Sequence, residues 1–389
     1  MSTEHTYAHF GSSAVFFVLG VFILASPVMR SGLSTRLALG IVTSFGQSQN
    51  MLLASVLGIA AIMSAFISAH AVAAILFPIV LDVIRGAGAK PGSKFSQTGC
   101  LAVAWGAIIG SNATLLGGAR APLALGILHN TTGITISFVQ WTAWSLPIVL
   151  VLLLAAYGLL LLMGQDKTVS MAAIRHFLED RTQKLGSVSQ REVYTAGIML
   201  LTIILWVMKG ETWGLATIAF LGVLLAFVLH VTDWQEIEED VNWGIFVMYG
   251  SAIALSAALR DTGAAAALAQ HMLPSWIDSS AFVFVIVVFI ALTLTEFMSH
   301  TPAVALLMPV ALALAAKFGI DPRTMTLGVV VSAGLGFALP VSSPEIAMVV
   351  GSRYVRPSAI LYWGLWLDLI SFAVILVMSK LYWPLVGLR

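Results

Sequence analysis

A single cysteine, Cys100, is present among 389 residues, which excludes a disulfide scaffold and a thiolate metal cluster. Charge is scarce too. Asp, Glu, Lys and Arg make up 10% of the chain, where an ordinary soluble domain carries about a quarter. Nor is there a surplus of either sign: 19 basic side chains against 18 acidic ones leave a net charge of +1. No basic field remains for a nucleic acid. What fills the chain is apolar, at 59% hydrophobic residues and a mean hydropathy of +0.97. Such content excludes disorder and a water-soluble enzyme. It predicts an all-α polytopic protein whose partner is the lipid bilayer, expected in the inner (plasma) membrane.

A helix needs roughly 20 apolar residues to cross about 30 Å of hydrocarbon. Stretches of that character lie at about 14–30, 98–128, 141–163, 194–209, 213–230, 243–260, 326–352 and 359–383. Two further runs, about 50–84 and 281–316, are interrupted by Ser68-Ala69-His70 and by Ser299-His300-Thr301. Each is long enough to enter the membrane, turn and leave on the same side, so both are expected to be re-entrant hairpins. Backbone at such a tip is tolerated only where it is buried in protein or lines a cavity. The polar segments 82–97 (Arg85, Lys90, Lys94) and 164–192 (Lys167, Arg175, Arg181, Lys184, Arg191) are expected on the cytoplasmic side. The second, with Ile174, Phe177 and Leu178 among its charges, reads as an amphipathic helix at the interface. This orientation puts both termini outside, which calls for a preceding helix or for the opposite orientation.

Displacing the sequence by 231 residues places Ser68 on Ser299, His70 on Thr301 and Pro78 on Pro309. Ser31-Gly32 then falls on Thr262-Gly263. After each hairpin comes a Gly-rich span with a polar break. The first runs from Gly110-Ser111-Asn112-Ala113-Thr114 to Arg120, and the second from Gly334-Leu335-Gly336 to Ser342-Ser343-Pro344-Glu345. Matched hairpins and broken helices are the pattern of secondary transporters, which bind substrate near the midplane between discontinuous helices. The expected organisation is a first repeat at 1–163, a cytoplasmic amphipathic linker at 164–192 and an inverted second repeat at 193–389.

These residues resemble the divalent anion:sodium symporters of the wider ion-transporter superfamily. That family carries a Ser-Asn-Thr motif at each hairpin tip and a Thr-Pro-Pro-Asn-like loop in each broken helix. Here the tips read Ser68-Ala69-His70 and Ser299-His300-Thr301; the loops read Gly118-Ala119-Arg120-Ala121 and Ser343-Pro344-Glu345-Ile346. The stretch from Asp233-Trp234 to Asp261-Thr262-Gly263 is also similar to the start of the family's second repeat. The similarity runs from about residue 14 onward, without the family's usual N-terminal helices. It implies alternating-access transport of a small anion of the dicarboxylate, citrate or sulfate class, in a homodimer. It also implies that both tips bind sodium and a substrate carboxylate. Both tip Asn positions are replaced here, by Ala69 and His300, and both loop Asn positions, by Ala121 and Ile346.

Ionisable residues stand in their place, and intramembrane charge marks a pathway or relay. His70, Glu296, His300, Glu345 and Asp368 form a candidate ion-coupling set, with protons or sodium as the coupling ion and no other cofactor or metal expected. Arg120 is a candidate for neutralising an anionic substrate through a two-pronged hydrogen bond. Ser68, His70, Ser299, His300 and Thr301 would meet the substrate from the tips. Ser111, Asn112, Thr114, Ser342 and Ser343 would line the breaks. Bland alternatives stand beside these roles: a buried Arg120–Glu345 ion pair, a packing role for His70, a turn-stabilising Glu296, and an Asp368 bonded to a helix end. Rival functions are a cation/proton antiporter and a transport-incompetent scaffold. No metalloprotease, intramembrane aspartyl or serine-hydrolase motif supports an enzyme.

Overall fold

The computed structural model describes residues 3–45, 48–166, 169–271 and 278–388; Lys167 lies outside them. Among the described residues all regular structure is helical. The chain opens with α1 (Thr3–Ala8), α2 (Ser13–Arg30) and α3 (Leu33–Phe45). The first hairpin follows as α4 (Gln49–Ser64) and α5 (Ala69–Gly86), with Ser48 and Ser68 capping the two helices. A broken helix, α6 (Lys94–Gly110) and α7 (Arg120–Thr132), leads to the 25-residue α8 (Phe138–Leu162). The linker carries α9 (Met171–Lys184).

Then come α10 (Gln190–Trp213), α11 (Leu215–Val228), α12 (Trp234–Asp240), α13 (Trp243–Asp261) and α14 (Ala264–His271). The second hairpin is α15 (Ser280–Phe297) and α16 (His300–Phe318). A second broken helix, α17 (Pro322–Ala333) and α18 (Pro344–Gly351), precedes α19 (Pro357–Leu381), again 25 residues long. The run expected at 213–230 forms a helix of only 14 residues, because Gly214 ends α10 and Leu229 ends α11. The helices α3, α12 and α14 had no counterpart in the hydropathy reading; each is short or carries polar residues.

Eight described helices are long and apolar enough to cross a membrane. Their apolarity runs nearly all round, which suits a lipid-facing or fully buried helix. Small residues set the close packing, as is usual between helices in lipid. Gly106 and Gly110 of α6 lie on the backbone of α4 at Leu57 and Ala61, and Gly117 lies on Ser64 and Ser111. Helices α4 and α6 therefore run side by side in the same direction. The pairing recurs in the second half, where Gly328 and Gly336 of α17 and its break meet Phe284 and Thr295 of α15.

Both ends of the first hairpin return to one face. Gln49 Nε2 donates to the Asp166 carbonyl at 2.6 Å, and Arg181 of α9 reaches Asp82 of α5 at 2.5 Å. The linker helix α9 buries Ile174 and Leu178 and lays Phe177 against Gly86. On this face too, the Gly92 N–H before α6 donates to the Tyr354 carbonyl after α18 at 2.9 Å. Helix α6 thus begins where α18 ends, and the two broken helices run in opposite directions.

The same face carries a charge cluster in which Asp240 accepts from Ser26 Oγ (2.6 Å) and from Arg30 Nε (2.7 Å) and Nη2 (2.8 Å). The Arg30 hydrogen bonds, ahead of that from Ser26, hold the Asp240 carboxyl below its ordinary 3.8. A depressed carboxyl contributes stability that is full above its unfolded pKa and lost as pH falls through the folded one. In detergent at pH 7, Asp240→Asn should therefore melt below the wild type. That gap should close as the pH drops below 3.8. A gap that persists unchanged in acid would remove the ion pair as its cause.

Candidate functional site

Helix α6 stops at Gly110, after which side chains cap its carbonyl end. Ser111 Oγ donates to Ile108 O at 2.7 Å, and Asn112 Nδ2 donates to the same carbonyl at 3.1 Å. Thr114 Oγ1 donates to the Ala65 carbonyl at the tip of hairpin 1, tying break to tip. Helix α7 then starts at Arg120, and its N-cap residue Ala119 supplies no side-chain cap. Free N–H groups at such a start, with the positive end of the helix dipole, favour an anion.

In the second half, α17 ends at Ala333. Its carbonyl accepts from Thr295 Oγ1 (3.1 Å) and faces His300 Nδ1 (2.7 Å). A carbonyl only accepts, so the proton of the His300 ring sits on Nδ1. Helix α18 begins with Ser343, whose hydroxyl accepts from the Ile346 N–H, then Pro344 at the first helical position and Glu345 in the first turn. A carboxylate there complements the helix dipole.

The halves meet at these breaks. Asn112 Nδ2 lies 3.4 Å from the Gly334 carbonyl. Gly334 has no room for a side chain, because Asn112 Oδ1 and the Arg120 guanidinium occupy it. Arg120 is 5% exposed, and Nη2 donates to Ser111 Oγ at 2.8 Å. Among the described residues no carboxylate contacts Arg120. Glu345, the partner expected of a locking ion pair, instead meets His70 Nδ1 at 2.7 Å through Oε1. The Glu345 side chain is 1% exposed and the His70 side chain 58%. A closed carboxylate is thus joined to an imidazole that is open to its surroundings. Glu345 Oε2 and Asn112 Oδ1 are buried without a donor. Arg120, His70, His300 and Glu345 are close enough to act on one another electrostatically.

The other candidates divide by what their polar atoms touch. Ser299 caps α16 by position but makes no side-chain cap bond, and it is exposed, so its hydroxyl is open to a ligand. Thr301 is half-buried beside it. Ser68 accepts from the Ala71 N–H at 3.4 Å and keeps its donor. Ser342 Oγ turns into its own loop, on Leu339 O at 2.7 Å. The hydroxyls of Thr114, Ser342 and Ser343 thus shape the breaks themselves. Glu296 accepts from the Phe337, Ala338 and Leu339 N–H groups of the second break. Asp368, on α19, stands next to Glu296 and away from the His70–Glu345 pair. Two neighbours were not among the expected site residues. Gly334 makes room for Arg120, and Tyr249 of α13 lies near Arg120 with a buried, unpartnered hydroxyl. A lone phenol inside the apolar run 243–260 was the signal available.

The chain matches the family described as the sodium:sulfate symporter transmembrane region over residues 1–389. The chain belongs to this family. It is 27% identical over 417 residues to a sodium-dependent dicarboxylate transporter, SdcS, of Staphylococcus saprophyticus, covering 100% of this chain and 80% of that one. The SdcS of Staphylococcus aureus strain USA300 is 25% identical over 413 residues, covering 99% and 79%. Two solved structures share the fold. The Alcanivorax borkumensis YdaH transporter aligns with a TM-score of 0.59 at 16% identity over 98% of this chain and 88% of its own. Neisseria gonorrhoeae MtrF, from a class of antimetabolite efflux pumps, aligns with 0.66 at 13% identity over 97% and 83%. As a member of this symporter family, the protein is a secondary transporter of a small anion, integral to the plasma membrane. The curated relatives named here are transporters rather than enzymes.

Proposed function

We propose that this symporter carries a small dianion of the dicarboxylate, citrate or sulfate class and couples it to protons, with sodium as the competing ion. The observation that carries this reading is the exposed His70 side chain joined to the buried Glu345, with the buried Arg120 within electrostatic reach of both. Arg120 and Glu345 balance each other while His70 is neutral. Protonating His70 gives the cluster a surplus positive charge, which an anion then offsets. Proton and anion therefore favour each other's binding, the condition for symport.

Sodium suits these tips poorly. Hard cations want several oxygen ligands, whereas Ala69 brings no side-chain oxygen and His300 turns its Nδ1–H toward Ala333. A buried arginine at the meeting of the two breaks argues against a cation antiporter. Transport proceeds by movement of the repeats 1–163 and 193–389, joined by the linker 164–192, around the shared site. A homodimer, implied by the family resemblance, is the assembly in which to test it; light scattering of the detergent-solubilised chain reads it directly.

The test is uptake of labelled succinate, citrate and sulfate into proteoliposomes with proton and sodium gradients imposed separately. Uptake should follow the proton gradient and ignore sodium. His70→Gln, which keeps a hydrogen bond to Glu345 but carries no ring proton, should lose most proton-driven accumulation while retaining exchange of internal for external anion. Uptake that requires sodium, or a His70→Gln protein that still accumulates against a proton gradient, overturns proton coupling at this pair.

A further inference from the structure

A second ionisable group lies in the other half. Glu296 stands in the last turn of α15, next to the tip of hairpin 2. Its Oε1 accepts from the Phe337 N–H at 2.7 Å and the Ala338 N–H at 3.2 Å, and its Oε2 from the Leu339 N–H at 2.7 Å. Those three amides belong to the break after α17, where the helix no longer provides carbonyl partners. The Asp368 carboxyl lies in the middle of α19, one turn beyond Gly364, which packs on the Phe337 and Ala338 backbone that Glu296 holds, and the two carboxyls act on one another electrostatically. Both Asp368 oxygens are buried, and neither receives a hydrogen bond among the described residues.

Two ionised carboxylates have only acceptors to show each other, and like charges that act on one another in a buried place disfavour a second ionisation. One proton resolves the conflict by making one group the donor. Glu296 holds three N–H groups that favour its charged form, so the proton belongs on Asp368. The break presents backbone amides alone, and α16 turns His300 toward Ala333 instead. Among the described residues no Lys, Arg or His contacts either carboxyl. The arrangement also has a moving part. Glu296 is on a hairpin arm and Asp368 on the last helix, so a shift of one against the other separates donor from acceptor and frees the proton.

We infer that Glu296 and Asp368 form a second proton-carrying site, loaded in the state described here and emptied when hairpin 2 moves away from α19. The inference rests on the proton-coupled reading above and extends it. One proton at His70 and one at this pair let a dianion cross with no net charge moved.

The variant to test is Asp368→Asn, whose amide still donates to Glu296 and so mimics the loaded pair permanently. Infrared spectra of the full-length protein in detergent at neutral pH should show a protonated-carboxyl band in the wild type that Asp368→Asn lacks. In proteoliposomes the proton-to-succinate ratio, read from the gradient that just stops net flux, should fall from two to one, with succinate exchange retained. Identical carboxyl bands in the two proteins, or an unchanged ratio, would overturn the inference. Should Asp368→Asn not fold, the wild type decides alone. A carboxyl band that shifts on adding succinate supports the site, and a spectrum that stays still refutes it. The two readings fail separately. Wild-type uptake indifferent to pH with the carboxyl band present removes proton coupling at His70, whereas proton-driven uptake without the band removes only the second site.

Discussion

Replacing Arg120 by alanine should abolish succinate uptake and weaken succinate binding by about 100-fold or more, while the protein still folds. The magnitude follows from the interactions removed. A hydrogen bond to a charged group contributes about 1.5–3 kcal/mol, a guanidinium offers two in parallel to a carboxylate, and each 1.4 kcal/mol is about tenfold in affinity. Folding should survive because, among the described residues, Arg120 makes no direct contact with a buried carboxylate. Glu345 is bonded to His70, and what the substitution takes from the protein itself is a hydrogen bond to the Ser111 hydroxyl. Arg120→Lys keeps the charge without the planar fork and should fall between the two proteins. Isothermal titration in detergent and proteoliposome uptake read the two effects. A soluble, monodisperse alanine variant with unchanged binding would remove Arg120 from the substrate site. A variant that aggregates while Arg120→Lys folds and binds normally would make the residue a structural charge.

The second large effect concerns packing. Gly110→Ala should destabilise the fold by about 3 kcal/mol, the upper part of the range for overpacking a well-packed interior. A Cβ at Gly110 would land on the Cα, C and O atoms of Ala61. Backbone cannot swing aside as a side-chain end does, so α4 would have to move away from α6. That movement would also stretch the Ser64 Oγ to Ala107 O bond, 2.6 Å long, and pull the Ala65 carbonyl from Thr114. Gly58→Ala on the same helix α4 is the control, since nothing lies within 4 Å of its new methyl. It should leave stability unchanged or raise it by up to about 1 kcal/mol, alanine being the better helix former. Thermal melts of both variants in detergent make the comparison. Equal melting temperatures would mean that the close approach of α4 and α6 does not hold the hairpin.

Much of the architecture was legible because lipid leaves the chain few choices. Apolar runs must be helices there, and the interruptions at Ser68 and Ser299 fall at the N-caps of α5 and α16. The Gly-rich stretches after each hairpin mark the two breaks, since small residues and side-chain caps are what a helix end within protein requires. The linker helix announced itself through Ile174 and Leu178 among charges, and both are buried. Short connecting helices such as α3 and α14 were not legible, because hydropathy over a span-length window does not register 13 or 8 residues of mixed polarity.

Chemistry was legible only as a set of residue types. The sequence by itself determined that the protein is a helical membrane transporter with two hairpins and two broken helices, and that an arginine, two histidines and three carboxyls sit among them. Pairing was decided by the tertiary structure alone. Glu345 could have met Arg120, but the antiparallel crossing of the broken helices sets it 2.7 Å from His70 instead. Glu296 could have steadied its own turn, yet it holds three amides of another helix's break and faces Asp368. The physical reason is the range of the forces involved. Hydrophobic burial is encoded residue by residue, so a string of letters reveals it. Charge pairing acts over a few ångströms between helices that lie from 41 to 275 residues apart in the chain, and only the packing of those helices brings the partners together.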